Sequence, residues 1–437
     1  MVLVSTHFLH ANGSHTSLEN ALGDRKVSKL SEGNPGATGV EIDRTVRRNA
    51  IILTAATAFG GSLMPIAIVF AGLVGSYLLA EDKSLATIPA TALTLGSALS
   101  TIPAATLMAR VGRRAGFIVG SVPAMLGGVV TCIAILHGSF LLFAFGCLLT
   151  GCTAAFVQQY RFAAVDGGSE VARSRALGLV MGGGVLAAII GPQTAILTRD
   201  LFAPIPFAGA FLAISFLAAG NAAVVSLLRP IGHAQSVAAD RRPARALSEI
   251  ARQPRFLAAV LCGMSSYALM SLVMTAAPLA MVGCGLTQDD AALGIQWHVL
   301  AMFAPSFFTG RLIARFGKDR IVIVGLALLS LCAVVSITGI SLAHFWGALI
   351  LLGVGWNFGF MGATAMLTET YLPQEKGKVQ GLNDFLVFAT SAASSFGAGV
   401  LFNGPGWGFI NAIIFPVAIL CLAALAWTAL LRSRRMA

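Results

Sequence analysis

The sequence predicts an all-α membrane protein with twelve transmembrane helices in two pseudo-symmetric six-helix bundles. Three observations lead there. Of the 437 residues, 57% are hydrophobic and only 11% charged, where a water-soluble domain carries about a quarter charged residues. Apolar stretches recur along the chain, each long enough as a helix to cross a ~30 Å hydrocarbon core. Finally, a basic turn, TLMARVGRR at Thr106–Arg114, returns as RLIARFGKD at Arg311–Asp319. Each copy follows the second long apolar run of its half.

Residues 1–48 are polar, rich in Gly, Ser, Asn and His, and end in Arg44, Arg47 and Arg48. They read as a disordered cytoplasmic tail. The opening MVLVSTHFLH has no positive n-region and too short an apolar stretch for a secretory signal. Six apolar runs follow at 49–79, 84–109, 115–136, 140–164, 176–198 and 207–228, an N-terminal bundle over 49–228. A polar bridge at 229–255, carrying Arg241, Arg242, Pro243 and Arg245, reads as a cytoplasmic linker. Its charges also suit an amphipathic helix lying at an anionic leaflet. Six more runs, at 256–282, 291–313, 321–342, 345–368, 379–402 and 408–431, form a C-terminal bundle over 256–431, with 432–437 as a cytoplasmic end. Several runs contain proline, among them Pro65, Pro103, Pro192, Pro278, Pro305 and Pro416. Membrane helices tolerate it, because neighbouring groups re-satisfy the freed carbonyls.

Charge placement sets the orientation. With the N-terminus inside and the sides alternating, every Lys and Arg falls in a cytoplasmic segment except Arg161, Lys83 and Arg199. The positive-inside rule then puts both termini in the cytoplasm. The net charge of +11 is spread over these turns, not gathered into a groove-reading module, so no nucleic-acid partner is expected. Seven cysteines form no CxxC pair, which indicates neither a zinc site nor a disulfide framework. They read as small packing residues. No GxxxxGK[ST], HExxH or GxSxG occurs, so neither an ATP-driven pump nor a hydrolase is expected, and no cofactor.

The halves share charged landmarks. At one fixed offset Arg110, Gly112 and Arg113 fall on Arg315, Gly317 and Lys318. At a slightly shorter one Asp166, Arg175 and Gly178 fall on Glu369, Lys378 and Gly381. Parallel six-span repeats build transporters whose site lies between the halves. Residues 45–435 resemble the major facilitator superfamily, which carries Gly-x-Leu-Ala-Asp-Arg-x-Gly-Arg-Arg between its second and third spans. Leu107, Arg110, Gly112, Arg113 and Arg114 match that pattern, as do Gly310, Leu312, Arg315, Gly317 and Lys318. Ala109 and Ala314 stand where the family has aspartate, and Ala105 where it has the first glycine. Asp166, Arg173, Arg175 and Gly178, and Glu369, Pro373, Lys376 and Gly381, match the family's acid and basic turn after the fourth and tenth spans. The resemblance implies a gate in which Arg110, Arg113, Asp166, Arg315 and Glu369 take part, with Asp166 paired to Arg110 or Arg113. GGGVLAAIIGP, Gly182–Pro192, is similar to part of the glycine-proline pattern of the family's exporters. The glycine pair expected beyond it is replaced by Thr194 and Ala195. Gly178, Gly182 and Gly191 also suit close helix packing.

A charge inside a span costs at least ~2.5–3.5 kcal/mol on insertion scales, so each needs a reason. Arg161 in QQYRF and Asp384 in GLNDF are candidates for substrate contact or a proton-coupled pair. Snorkelling to the headgroups is the alternative for Arg161. Gln158 lies one turn before Arg161 and shares its face. His298 suits a packing histidine, a ligand contact or a proton carrier. Trp297, Trp356 and Tyr267 suit packing or stacking on a substrate. Asn357 must bond either another helix or the substrate, since an unpaired buried amide is costly. The substrate-binding set is therefore Gln158, Arg161, Tyr267, His298, Trp356, Asn357, Asn383 and Asp384. Aromatics with amides suit a planar, hydrogen-bonding heterocycle.

Together these features predict a secondary or facilitative transporter of a small organic solute in the bacterial inner membrane. It would work as a monomer by alternating access, with or without a proton. FVQQYRFAAVD, Phe156–Asp166, and the loop beyond it are similar to a proteobacterial group of the family that includes riboflavin importers, which implies riboflavin uptake. An exporter of drugs or metabolites with the same fold, and a non-transporting membrane sensor, are the alternatives.

Overall fold

Backbone N–H and C=O groups in hydrocarbon have no water to bond, so each apolar run must close its hydrogen bonds internally. The computed structural model describes residues 39–79, 83–167, 169–229 and 245–436, and its regular structure is helical. The first half contains α1 (Gly39–Leu78), α2 (Ile88–Val111), α3 (Arg113–Leu136), α4 (Phe140–Val157) with the short α5 (Tyr160–Ala163), α6 (Glu170–Thr198) and α7 (Ala208–Val225). After α8 (Leu247–Ala251) the second half runs α9 (Pro254–Gly283), α10 (Gln288–Phe303), α11 (Ser306–Phe316), α12 (Lys318–Thr338), α13 (Leu342–Leu367), α14 (Lys376–Asn403), α15 (Trp407–Ala412) and α16 (Ile414–Met436). Among the described residues 11 helices are long and apolar enough to cross a membrane. The pair α10 and α11, bent by 42°, supplies the twelfth span. Pro305 sits at that bend, where its missing N–H leaves the ladder open.

The packing repeats with the sequence. In the first half α1 lies along α6, α4 along both α2 and α3, and in the second α9 lies along α14 and α13 along both α10 and α12. Between halves α2 packs on α14 and α10 on α6, the pair of contacts a pseudo-two-fold axis requires. Glycines let the backbones approach. A Cβ on Gly96 would overlap the Leu148 carbonyl, and one on Gly151 the Leu93 carbonyl, where α2 crosses α4. The outer surface stays apolar, with Leu141, Leu197, Phe216 and Ile419 among the exposed side chains, as lipid contact demands.

The two basic turns share one backbone device. Gly112 has φ 83° and ψ 164°, and Gly317 φ 90° and ψ 155°. Each closes one helix and opens the next. No other atoms crowd either position, so the glycine is required by its torsion and not by space.

Two segments differ from their sequence reading. The segment predicted as a disordered tail contributes its last ten residues to α1, which begins at Gly39. Its polar groups have helical uses that composition hides. Asp43 accepts from the Ser169 backbone N–H and hydroxyl, both at 2.8 Å, Arg48 donates to the Leu227 carbonyl at 3.3 Å, and Asn49 exchanges bonds with the Arg229 backbone. Residues 1–38, and Arg241, Arg242 and Pro243 of the bridge, lie outside the described residues. The bridge is partly ordered. Arg245 wraps the fully enclosed Glu375 carboxylate with its backbone N–H at 2.8 Å, Nε at 2.9 Å and Nη2 at 2.7 Å. Those bonds, with the Leu372 N–H, push the Glu375 carboxyl down to about 2. Of the fifth-span glycines, Gly191 packs against the Ser62 backbone, whereas Gly178 faces open space and Gly182 meets only the tip of Phe307. Gly183 holds the tightest contact there, on the Thr54 carbonyl.

Candidate transport site

The halves enclose a cavity of about 240 Å3 lined by α1, α2, α4, α5 and α6 on one side and α9, α10 and α14 on the other. Its walls are soft and apolar. Met64, Met181, Met270, Met274 and Met302 line it, and thioethers adapt to a flat ring better than branched chains do. Aromatic faces come from Tyr267, Phe303 and Phe388. Tyr267 is held by edge contacts to Trp356, Phe360 and Phe388, with centroids 5.4–5.6 Å apart.

Hydroxyls of Thr57, Thr94, Ser97, Ser271 and Ser391 are spread over the lining, whereas its amide and charged groups come from one stretch. Gln158 and Arg161 line the cavity at the junction of α4 and α5. Beneath them Tyr160 is fully buried and donates to Asn221 at 3.0 Å, which in turn donates to the Ser121 hydroxyl at 2.9 Å. This network fixes the backbone that carries Arg161. Asp384 lies on the same face of α14 as Phe388 and Ser391, which line the cavity, since residues four and seven apart stack on one helix side. It is within electrostatic reach of Arg161 and Tyr267, yet forms no ion pair with Arg161 within 4.0 Å. Asn383 donates to Asp384 at 3.2 Å.

Of the eight predicted binding residues Gln158, Arg161 and Tyr267 line the cavity; Asn383, Asp384, His298, Trp356 and Asn357 are not in its lining, and the last three bond or pack against neighbouring helices. His298 is buried with Nδ1 2.8 Å from the Leu349 carbonyl, tying α10 to α13. Asn357 donates to the Met302 carbonyl at 2.7 Å and the Ser306 hydroxyl at 2.8 Å and accepts from Thr309 at 2.6 Å. It thereby fills the break between α10 and α11. Trp356 stacks on Phe360 and backs Tyr267 from outside the cavity. Sequence reading missed the methionine lining and the Tyr160–Asn221–Ser121 network. Met270 and Met274, four residues apart on α9, were the only pattern available, and it is the pattern of any buried helix face.

At the end of the bundle that carries the termini, each basic turn reaches its acid. Arg113 Nε lies 3.0 Å from Asp166, and Lys318 Nζ lies 2.9 Å from Glu369. Arg255 bonds both Glu369, at 2.8 Å, and Asp319, while Arg432 approaches the same two acids at 3.7 and 3.5 Å. Burial raises the Glu369 carboxyl, but the bonds from Lys318 and Arg255 outweigh it, and the net shift is downward. Arg110 and Arg315 are exposed and form no ion pair among the described residues. At the opposite end contacts join the two halves. Arg199 pairs with Asp289, Gln193 donates to Gln296 at 2.8 Å, Thr87 to the Phe396 carbonyl at 3.3 Å, and Asn403 to the Lys83 carbonyl at 2.9 Å.

The profile described as Major Facilitator Superfamily matches residues 259–436. Over 379 residues the chain is 49% identical to the riboflavin transporter RfnT of Brucella anthropi, a match that covers 87% of this chain and 95% of that one. The chain belongs to the major facilitator superfamily. Solved structures carry the same fold at low identity. The human organic anion transporter MFSD10 (16% identical) and the nucleoside transporter NupG (12% identical) each superpose with a TM-score of 0.62, covering 88% of this chain and 99% of theirs. As a superfamily member the chain is a multi-pass membrane transporter of a small solute, with twelve spans in two six-helix bundles. The cavity between those bundles is where the superfamily architecture places its cargo.

Proposed function

We propose that this protein imports riboflavin across the bacterial inner membrane by alternating access, as a monomer with both termini in the cytoplasm. One observation carries the reading: 49% identity to a riboflavin transporter along 95% of that protein's length. The cavity supports it. A slot of methionines and aromatic rings with amide and charged groups from one stretch suits a flat heterocycle with one polar edge better than a sugar or a dianion. The Lys and Arg distribution supports the orientation. Contacts between halves at the end opposite the termini support a state closed to the outside. One chain supplies both walls of the cavity, so a single copy suffices. In this scheme Arg113–Asp166 and Lys318–Glu369 stiffen the cytoplasmic end of each bundle, so that each rocks as one body. The missing glycine pair at Thr194 and Ala195 disfavours export. A riboflavin auxotroph expressing the protein should grow on limiting riboflavin. Failure to grow, with the protein confirmed in the membrane, would sink the reading.

A further inference from the structure

Arg161 and Asp384 belong to opposite halves, on α5 and α14, close enough to interact electrostatically but without an ion pair; Arg161 lines the cavity and Asp384 lies one turn from the lining residue Phe388. Each has unused capacity. Arg161 Nε is buried with no hydrogen-bond partner, an arrangement costly enough to call for an acceptor in the working state. Asp384 takes one bond from Asn383, and its second oxygen accepts none among the described residues. One half therefore offers a donor in the lining of the slot, and the other an acceptor one helical turn from that lining.

That pairing selects a chemistry. A carboxylate ligand would satisfy Arg161 but face Asp384, and an ammonium ligand the reverse. A neutral imide edge, carbonyl–N–H–carbonyl, gives an acceptor to Arg161 and a donor to Asp384 at once. Resting on the riboflavin reading, we infer that Arg161 and Asp384 are the specificity-determining pair of the cavity, clasping the imide edge of a flavin ring from opposite halves. Arg161 donates to a ring carbonyl, and Asp384 accepts from the imide N–H. Gln158, beside Arg161 in the lining, is placed to bond the remaining carbonyl. The ring then lies in the methionine slot, with Tyr267 and Phe388 against it. Because the two contacts come from different halves, the cargo draws the halves together as it binds.

The test compares riboflavin with N3-methylriboflavin, which keeps the ring and both carbonyls but loses the imide N–H. Affinities are read from the quenching of flavin fluorescence on the purified protein in detergent. The wild type should bind the methylated ligand at least ~10-fold more weakly, as sites built around a ligand N–H do. Asp384→Ala should weaken riboflavin and bring the two ligands to within ~3-fold of each other, about 0.65 kcal/mol or less. Arg161→Gln should weaken both ligands alike, since both keep the carbonyls. Equal binding of the two ligands by the wild type would overturn the inference while leaving riboflavin transport standing, and that comparison needs no variant to fold. Full discrimination retained in a folded Asp384→Ala would overturn it too. Absence of binding of either flavin would overturn the riboflavin reading and this inference with it.

Discussion

At the level of single residues, the informative positions are charges where charge is expensive. Arg161 and Asp384 stood out in the sequence because each is a charge within an apolar run; Arg161 lines the cavity, and Asp384 lies one turn along α14 from the lining residue Phe388. His298 and Asn357 were equally polar and equally central in sequence, yet both bond neighbouring helices. Each bonds a backbone carbonyl, which every residue has, and the hydroxyls that Asn357 also meets lie on another span, so no sequence pattern marks them. The proposed gate pair gives a sharper expectation. Arg113 and Asp166 are about 40% exposed, so the pair contributes under ~1 kcal/mol to stability. Asp166→Arg alone should therefore leave the melting temperature nearly unchanged but reduce transport several-fold, and adding Arg113→Asp should restore much of it. Transport rates of the three proteins at equal membrane abundance check this, and no recovery in the double swap counts against the pairing. Glu375 carries a pH expectation. Its pKa is depressed from 4.5 to about 2 by Arg245, so its anchoring of the bridge is complete above pH 4.5 and lost as pH falls toward 2. Hydrogen-exchange protection of residues 245–251, relative to the intrinsic rate at each pH, should hold down to about pH 4.5 and fall below it, whereas Glu375→Gln should be weakly protected throughout. A flat profile that matches Glu375→Gln would remove the anchor.

Among the elements, the sequence placed all twelve spans, because an apolar run of that length in lipid has one solution. What it missed lies at their ends and breaks. α1 starts at Gly39 because Asp43, Arg48 and Asn49 each find a partner on another segment, which composition alone reports only as polarity. The eighth span bends by 42°. Pro305 signalled a kink, but the group that makes the kink tolerable, Asn357, is on another span. Replacing Asn357 by Leu should leave the Met302 carbonyl and the Ser306 hydroxyl without their partner in a dry site, while Thr309 keeps its bond to the Pro305 carbonyl, and cost about 1–3 kcal/mol. Thermal unfolding in detergent, read against the wild type, checks it, and an unchanged midpoint would mean the break is satisfied another way. The repeat was legible for a physical reason as well. A positive φ at Gly112 and Gly317, at a torsion open to little but glycine, leaves a mark in sequence that a packing contact does not.

For the whole molecule, two similar bundles meet along a pseudo-two-fold axis through the cavity. Their polar contacts lie beyond it, at Arg199–Asp289, Gln193–Gln296 and the ends of α2 and α14. None of these pairs was visible in sequence, because each joins segments from different halves. The proposed alternating-access scheme gives the repeated basic turns a use: each bundle would have its own tie between turn and acid and move as a body. Uptake of riboflavin into proteoliposomes that hold only this protein tests the whole account most directly. Saturable entry of riboflavin is expected, inhibited by excess unlabelled riboflavin and slowed at least ~10-fold by Arg161→Gln. Entry no faster than in protein-free liposomes, with the protein folded and inserted, would contradict it.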